Sequence, residues 1–196
     1  MPKKPASPPL LPRMSAPEVA LLKRHLKGAR SLLEFGCGGS TVLAAGLGIE
    51  RIASVDSDPA WLEQVARHPK VRAIHFKGRY ADIGPIGLWG KPRRSAYAHR
   101  WPAYSSAIWG ELDAIPDVVL VDGRFRVACC LQALLHAGPK AKIIFHDFWD
   151  RPQYHTVLGY MECLGRADTL AVFKAKERVD WKALAQDLAR HLLDPD

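Results

Sequence analysis

The stretch LLEFGCGGSTVLAA, residues 32–45, runs from an apolar segment through an acid and three glycines into residues that favour helix. Its apolar start reads as a buried strand, and Gly36, Gly38 and Gly39 form a turn that feeds a short helix over about Ser40–Leu47, closed by Gly48. A glycine turn between strand and helix brings backbone amides close to a ligand at the carboxyl edge of a parallel sheet. A nucleotide-like ligand is therefore expected. A dinucleotide fingerprint would need glycines at 36, 38 and 41, but position 41 is Thr41. Glu34, two residues before the first glycine, would also repel a pyrophosphate.

The flanking sequence extends this unit in both directions. SAPE at 15–18 matches a capping box ahead of a helix to about Lys27, with Val19, Leu22 and Leu26 on one face. RIASVD (51–56) reads as a second strand. DPAWLEQVARH (58–68) has an aspartate N-cap and a proline at its first helical position, and VRAIHF (71–76) reads as a third strand. DVVLVD (117–122) is an apolar strand, RVACCLQALLHAG (126–138) a helix closed by glycine, and AKIIFHD (141–147) another buried strand. Beyond them YHTVLGYM looks helical, MECLGRADTLAVFKA supplies two strands around a turn at Gly165–Asp168, and DWKALAQDLARHLL is an amphipathic helix capped by Asp180. This alternation points to a doubly wound α/β fold with a parallel sheet. Residues 1–14 carry five prolines and read as an extended or mobile arm, leaving 15–196 as a single domain with an insert at 79–116.

Composition narrows the class. The 196 residues are 48% apolar and 24% charged, which suits a globular chain of this length. No apolar run reaches the roughly 18 residues of a membrane span, and no signal-peptide pattern opens the sequence, so a cytoplasmic protein is expected. The four cysteines have neither CxxC nor Cys/His ligand spacing, and the pair Cys129–Cys130 falls in an apolar helical pattern that suits buried thiols. A net charge of +8 favours anionic partners without choosing among them.

Glu34 followed by Gly36, Gly38 and Gly39, in the form EFGCGGST, resembles motif I of the class I S-adenosylmethionine-dependent methyltransferases. Ser40 stands where the third glycine is usual. An acid at this edge suits a cofactor bearing ammonium and sulfonium groups. The resemblance implies a Rossmann-like, seven-stranded, mostly parallel sheet ending in an antiparallel hairpin. It implies cofactor contacts from Glu34, Gly36, Cys37, Gly38 and Ser40. Asp56 and Ser57, at the end of the second strand, are placed for the ribose, a role that a carboxylate fills for NAD as well. Asp82, after the third strand, is the candidate for the adenine amino group. Taken singly, a glycine turn or an aspartate cap is ordinary structure; the order acid, glycines, strand, acid, proline-started helix is what structure alone leaves unexplained.

The fourth strand ends at Asp122 in VDGRFR, without the Asn/Asp-Pro-Pro-aromatic motif common in amino-methylating enzymes. The stretch from Asp122 to Asp147 resembles the small-molecule O-methyltransferase branch, so Asp122 and Asp147 are the expected catalytic residues on the acceptor side. Some of that branch bind a divalent metal through such a pair plus an asparagine, but Phe148 stands in the asparagine's place, which argues against metal dependence. His146, in an extended strand, should point away from Asp147 and pack as a partly buried histidine. Arg124 and Arg126 are candidates for an anionic group of the acceptor. The insert, with Trp89, Tyr97, Trp101, Tyr104 and Trp109 among basic residues, reads as a substrate lid, an RNA surface or a homodimerisation arm. The expected function is O-methylation of a small, anionic acceptor, with RNA methylation or cofactor binding without turnover as alternatives.

Overall fold

A computed structural model describes residues 10–138 and 140–196; the first nine residues of the expected arm lie outside the described residues. Seven strands form one sheet in the order β3-β2-β1-β4-β5-β7-β6. They are β1 (Ser31–Phe35), β2 (Arg51–Asp56), β3 (His75–Tyr80), β4 (Val118–Val121), β5 (Lys142–Phe145), β6 (Met161–Ala167) and β7 (Leu170–Ala175). The first five are mutually parallel, while β7 runs antiparallel to both β5 and β6. Strand order reverses between β1 and β4, so the crevice of the fold opens at their carboxyl ends.

The helices are α1 (Ala16–Leu26), α2 (Gly39–Gly46), α3 (Pro59–Ala66), α4 (Pro69–Arg72), α5 (Pro102–Ser106), α6 (Arg126–His136) and α7 (Trp181–His191). Alternation along each strand divides the core into two faces. Leu32, Ile52, Leu120 and Ile144 pack under α1, α2, α3 and α4 through Leu22, Val42, Leu62 and Val71. Leu33, Phe35, Val121 and Phe145 pack against α6, the insert and Leu184 of α7. Glu34 shares the face of Leu32 and so lies beneath the start of α2.

The capping box of α1 forms as expected, with Ser15 Oγ accepting from the Glu18 amide at 3.3 Å and Glu18 Oε2 from the Ser15 amide at 2.8 Å. Its other oxygen accepts from Thr169 N at 3.0 Å and Thr169 Oγ1 at 2.6 Å, which ties α1 to the β6–β7 turn. Cys37, Cys129 and Cys130 are buried free thiols, whereas Cys163 is exposed.

The third strand is shifted from VRAIHF: His68 caps α4 by accepting from the Lys70 amide, Pro69 starts it, and the strand begins at His75, so only His75 and Phe76 of that stretch belong to it, with pairing to Arg51 setting the register. The apolar run that suggested a strand comes from Val71, the buried residue of α4, and from the turn after it. The insert holds α5 and short 3-10 turns over Leu88–Gly90, Ser95–Arg100 and Ala107–Glu111. Trp101, Tyr104 and Ile108 are buried in the chain's own core, with the Tyr104 and Phe125 rings 5.3 Å apart.

Candidate active site

Glu34 anchors the glycine turn from below. It is fully buried, and its carboxylate accepts from Ser40 Oγ, from Thr41 Oγ1 at 2.5 Å and from Ser54 Oγ at 3.1 Å. Burial pushes this carboxyl up to about 7, with the hydroxyls pulling the other way and the Asp122 charge adding to the rise. Thr41 Oγ1 also accepts from the Gly38 amide at 2.8 Å, so the acid sets the backbone of the turn through a hydroxyl. Its oxygens face inward, away from the crevice.

Gly36 has φ +92°, and a Cβ there would come within 2.6 Å of the Gly123 Cα. Only glycine permits both the left-handed backbone and this approach. The turn after β1 and the turn after β4 therefore touch, which sets Asp122 beside the glycines. Cys37 donates its amide to Asp56 Oδ2 at 3.1 Å, and the Asp58 amide donates to Oδ1 at 3.0 Å. Burial raises the Asp56 carboxyl above its ordinary value against these bonds. Trp61 Nε1 donates to the Cys37 carbonyl at 2.7 Å and Ser57 Oγ to the Gly90 carbonyl at 3.3 Å. Asp82 is exposed, accepting from the Gly84 amide at 3.0 Å and pairing with Arg100 at 2.6 Å.

At the ends of β4 and β5 the structure brings Asp122, His146 and Asp147 together. The expectation that His146 and Asp147 point apart fails because both lie past the end of β5, and Asp147 takes a left-handed φ of +56°. Strand alternation holds only for extended chain, and this turn folds the two side chains toward each other. His146 Nδ1 donates to Asp122 Oδ1 at 2.8 Å, while its Nε2 lies 3.7 Å from Asp147 and 3.6 Å from Glu18. Burial alone would lower the imidazole, but the Asp122 bond and the three carboxylates outweigh it and raise it above its ordinary value. Arg126, almost wholly buried, donates to the His146 carbonyl at 2.6 Å and to Asp147 Oδ2 at 3.0 Å, and lies 3.5 Å from Asp122. Arg151 reaches the same Asp147 oxygen at 2.8 Å. Arg126 is thus consumed inside the cluster. Sequence reasoning missed Glu18, whose capping role explained it already, and Arg151; the adjacent His146–Asp147 pair at a strand end was the available signal for the histidine.

Three segments border the crevice. A Cβ on Gly39 would overlap the Leu11–Pro12 peptide, so the described part of the arm lies against the glycine turn. Arg13 stacks over Trp89 at 4.3 Å, and Gly90 lies against Ser57. Lys91 holds Asp196 at 2.7 Å, and Arg124, just past Gly123, lies 3.8 Å from the same carboxylate. A cavity of about 490 Å³ lined by His25, Lys27, Lys140 and Lys142 opens at the opposite, amino-terminal edge of the strands. It is remote from this chemistry.

No family model matches the sequence, and no curated protein matches it. Among solved structures, a methyltransferase-like protein from Silicibacter pomeroyi DSS-3 superposes with a TM-score of 0.86 at 32% identity, over 95% of this chain and 98% of its own. Two more distant structures share the fold. The C-terminal domain of precorrin-6Y C5,15-methyltransferase from Rhodobacter capsulatus has a TM-score of 0.54 at 14% identity, over 87% of this chain and 94% of its own. The ribosomal protein L11 methylase from Lactobacillus delbrueckii subsp. bulgaricus has 0.53 at 12%, over 85% and 82%. With 32% identity across nearly the whole of both chains, and with the glycine turn, sheet order and terminal hairpin of that fold, this chain belongs to the class I S-adenosylmethionine-dependent methyltransferases.

Proposed function

We propose that this methyltransferase passes the methyl group of S-adenosylmethionine to an oxygen of a small, anionic acceptor, with Asp122 as the base. The observation that carries this reading is the hydrogen bond at 2.8 Å between His146 Nδ1 and Asp122 Oδ1, beside the glycine turn. It occupies one carboxylate oxygen and leaves Oδ2 without a hydrogen-bond partner among the described residues. Methyl transfer is an in-line displacement that needs the nucleophile held against the sulfonium and its proton removed. Asp122 Oδ2 accepts the acceptor hydroxyl's proton as the oxygen–methyl bond forms and the sulfonium–methyl bond breaks. His146 is a positioning residue that orients this carboxylate. Asp147 lines the same cluster.

On the cofactor side, the backbone of the turn at Gly36, Cys37, Gly38 and Ser40 lines the cradle, with Glu34 shaping it from below; the amides of Gly36, Cys37 and Gly38 are held by Val55, Asp56 and Thr41 and fix the shape of the turn. Asp56 and Ser57 are assigned to the ribose and Asp82 to the adenine edge. The oxygens of Asp56 already take two amides, so its remaining acceptor capacity is what the ribose uses.

Asp122, His146 and Asp147 offer donor atoms within 4.8 Å of one another, which raises the question of a divalent metal. The charges argue against a resident one. Asp147 already pairs with the Arg126 and Arg151 guanidinium groups within 3.0 Å, and Arg126 lies 3.5 Å from Asp122. A dication there would face both guanidinium groups. Activity is accordingly expected to survive exhaustive chelation; loss restored by one divalent ion would reverse this conclusion.

A net charge of +8 suits RNA as well, so an RNA substrate belongs in the acceptor panel. The test is formation of S-adenosylhomocysteine with each candidate acceptor. Asp122→Asn is expected to cut turnover about 10²-fold or more while S-adenosylhomocysteine binds unchanged. Equal loss of both would assign Asp122 a structural role, and binding without product from any acceptor would make the chain a cofactor-binding protein.

A further inference from the structure

We propose that Arg124 and Lys91 form an anion subsite at the acceptor's entry, held in the resting chain by the carboxylate of Asp196 and taken over by an acidic group of the acceptor. This rests on the reading that the acceptor meets the cofactor beside Asp122.

The elements converge on that spot from three parts of the chain. Arg124 follows Gly123, the residue packed against Gly36, so its backbone lies two residues from the proposed base. Its side chain is 13% exposed, and its Nε finds no hydrogen-bond partner among the described residues. A buried guanidinium N–H without a partner costs free energy that a bound anion would recover. Burial, with Arg126 close by, lowers the Arg124 pKa, the mark of a cation short of negative charge. The nearest carboxylate, Asp196, stays 3.8 Å from Arg124 but lies 2.7 and 3.0 Å from Lys91 Nζ. Lys91 belongs to the insert beside Gly90, which borders Ser57.

Asp196 is itself a suitable occupant of a temporary kind. It reaches the site on a short tail after α7, fastened by a long bond from the Phe125 amide to the Pro195 carbonyl at 3.4 Å. Its side chain is half exposed, so water competes for the pairing. It satisfies Lys91 and leaves Arg124 unsatisfied. An acceptor carboxylate or phosphate is free to meet both cations, and a planar guanidinium beside an ammonium matches either oxyanion.

The test uses the full chain with inorganic phosphate as the probe, at constant ionic strength, read from the arginine Nε–H resonances of ¹⁵N-labelled protein. If Asp196 occupies the subsite most of the time, the apparent affinity is reduced by the fraction of time the site is open. Asp196→Asn is then expected to lower the phosphate concentration at half-saturation about threefold to tenfold. Adding Arg124→Gln should abolish the response, and adding Lys91→Gln at its exposed position should weaken it. An unchanged phosphate titration in Asp196→Asn, or a response that survives both cation substitutions, would overturn the proposal. S-adenosylhomocysteine titrated into the same samples separates the two readings: its failure to bind anywhere sinks the methyl-transfer assignment, whereas its retention with no phosphate response sinks the subsite alone.

Discussion

Glu34 is an acid with no view of solvent, surrounded by three hydroxyls, and its carboxyl is raised from 4.5 to about 7. A folded pKa above the unfolded one gives a stability contribution that is complete below the unfolded value and lost as pH rises through the folded value. The difference in unfolding free energy between the native chain and Glu34→Gln should therefore fall by about 3 kcal/mol between pH 4.5 and 8, measured by urea denaturation at each pH. A flat difference would mean that the carboxyl titrates normally. His146, also raised, acts in the same direction, so both groups weaken the fold on its alkaline side. The acid at position 34 was legible from the motif, but its inward hydrogen bonds were not. They depend on Ser54 of the neighbouring strand, 20 residues away, and on which face of β1 the register exposes. Likewise Asp122 and Asp147 were readable as strand-end acids, whereas the convergence of His146 on them needed the left-handed turn at Asp147.

The insert between β3 and β4 turns the rings of Trp101 and Tyr104 inward. Its aromatics suggested a lid or a binding surface because composition alone does not say which way a ring points. In the structure Tyr104 is 1% exposed and its hydroxyl accepts from the Arg124 amide at 3.3 Å, while Trp101 Nε1 donates to the Ile83 carbonyl at 3.1 Å. These rings cover the start of α6, whose N-terminal turn carries Phe125 at φ +53°. Tyr104→Ala should cost about 3–5 kcal/mol in unfolding free energy, the range for deleting a buried aromatic ring. Tyr104→Phe should cost about 1 kcal/mol, for one hydrogen bond to an amide. A mobile lid would show no loss in either case. Leu88 and Trp89 are exposed apolar side chains of the insert, at 85% and 68%. β3 is an edge strand with polar residues, so its sequence has little apolar pattern to mark its bounds, and its register comes from β2.

Chain segments far apart in sequence meet around the crevice: Leu11–Arg13 on the glycine turn and Trp89, and the Asp196 tail on Lys91. Gly39 makes the first contact possible because any side chain there would strike the Leu11–Pro12 peptide. Gly39→Ala should push the arm off the turn and speed tryptic cleavage after Arg13, with S-adenosylhomocysteine protecting the native chain more than the variant. Equal cleavage rates would show that the contact does not hold the arm in solution.

Local sequence determined the alternation of strands and helices, the capping box at Ser15–Glu18, the glycine turn and the acids at the strand ends. Those signals are short in range, set by backbone geometry and by the burial of one face at a time. Tertiary structure alone decided where Glu34 directs its oxygens, that His146 joins Asp122, that the insert's aromatics fill the core and that Asp196 meets Lys91. Glu34 with Ser54, His146 with Asp122 and Asp196 with Lys91 each join residues at least 20 apart in the chain, and no local preference encodes a partner that only packing brings near.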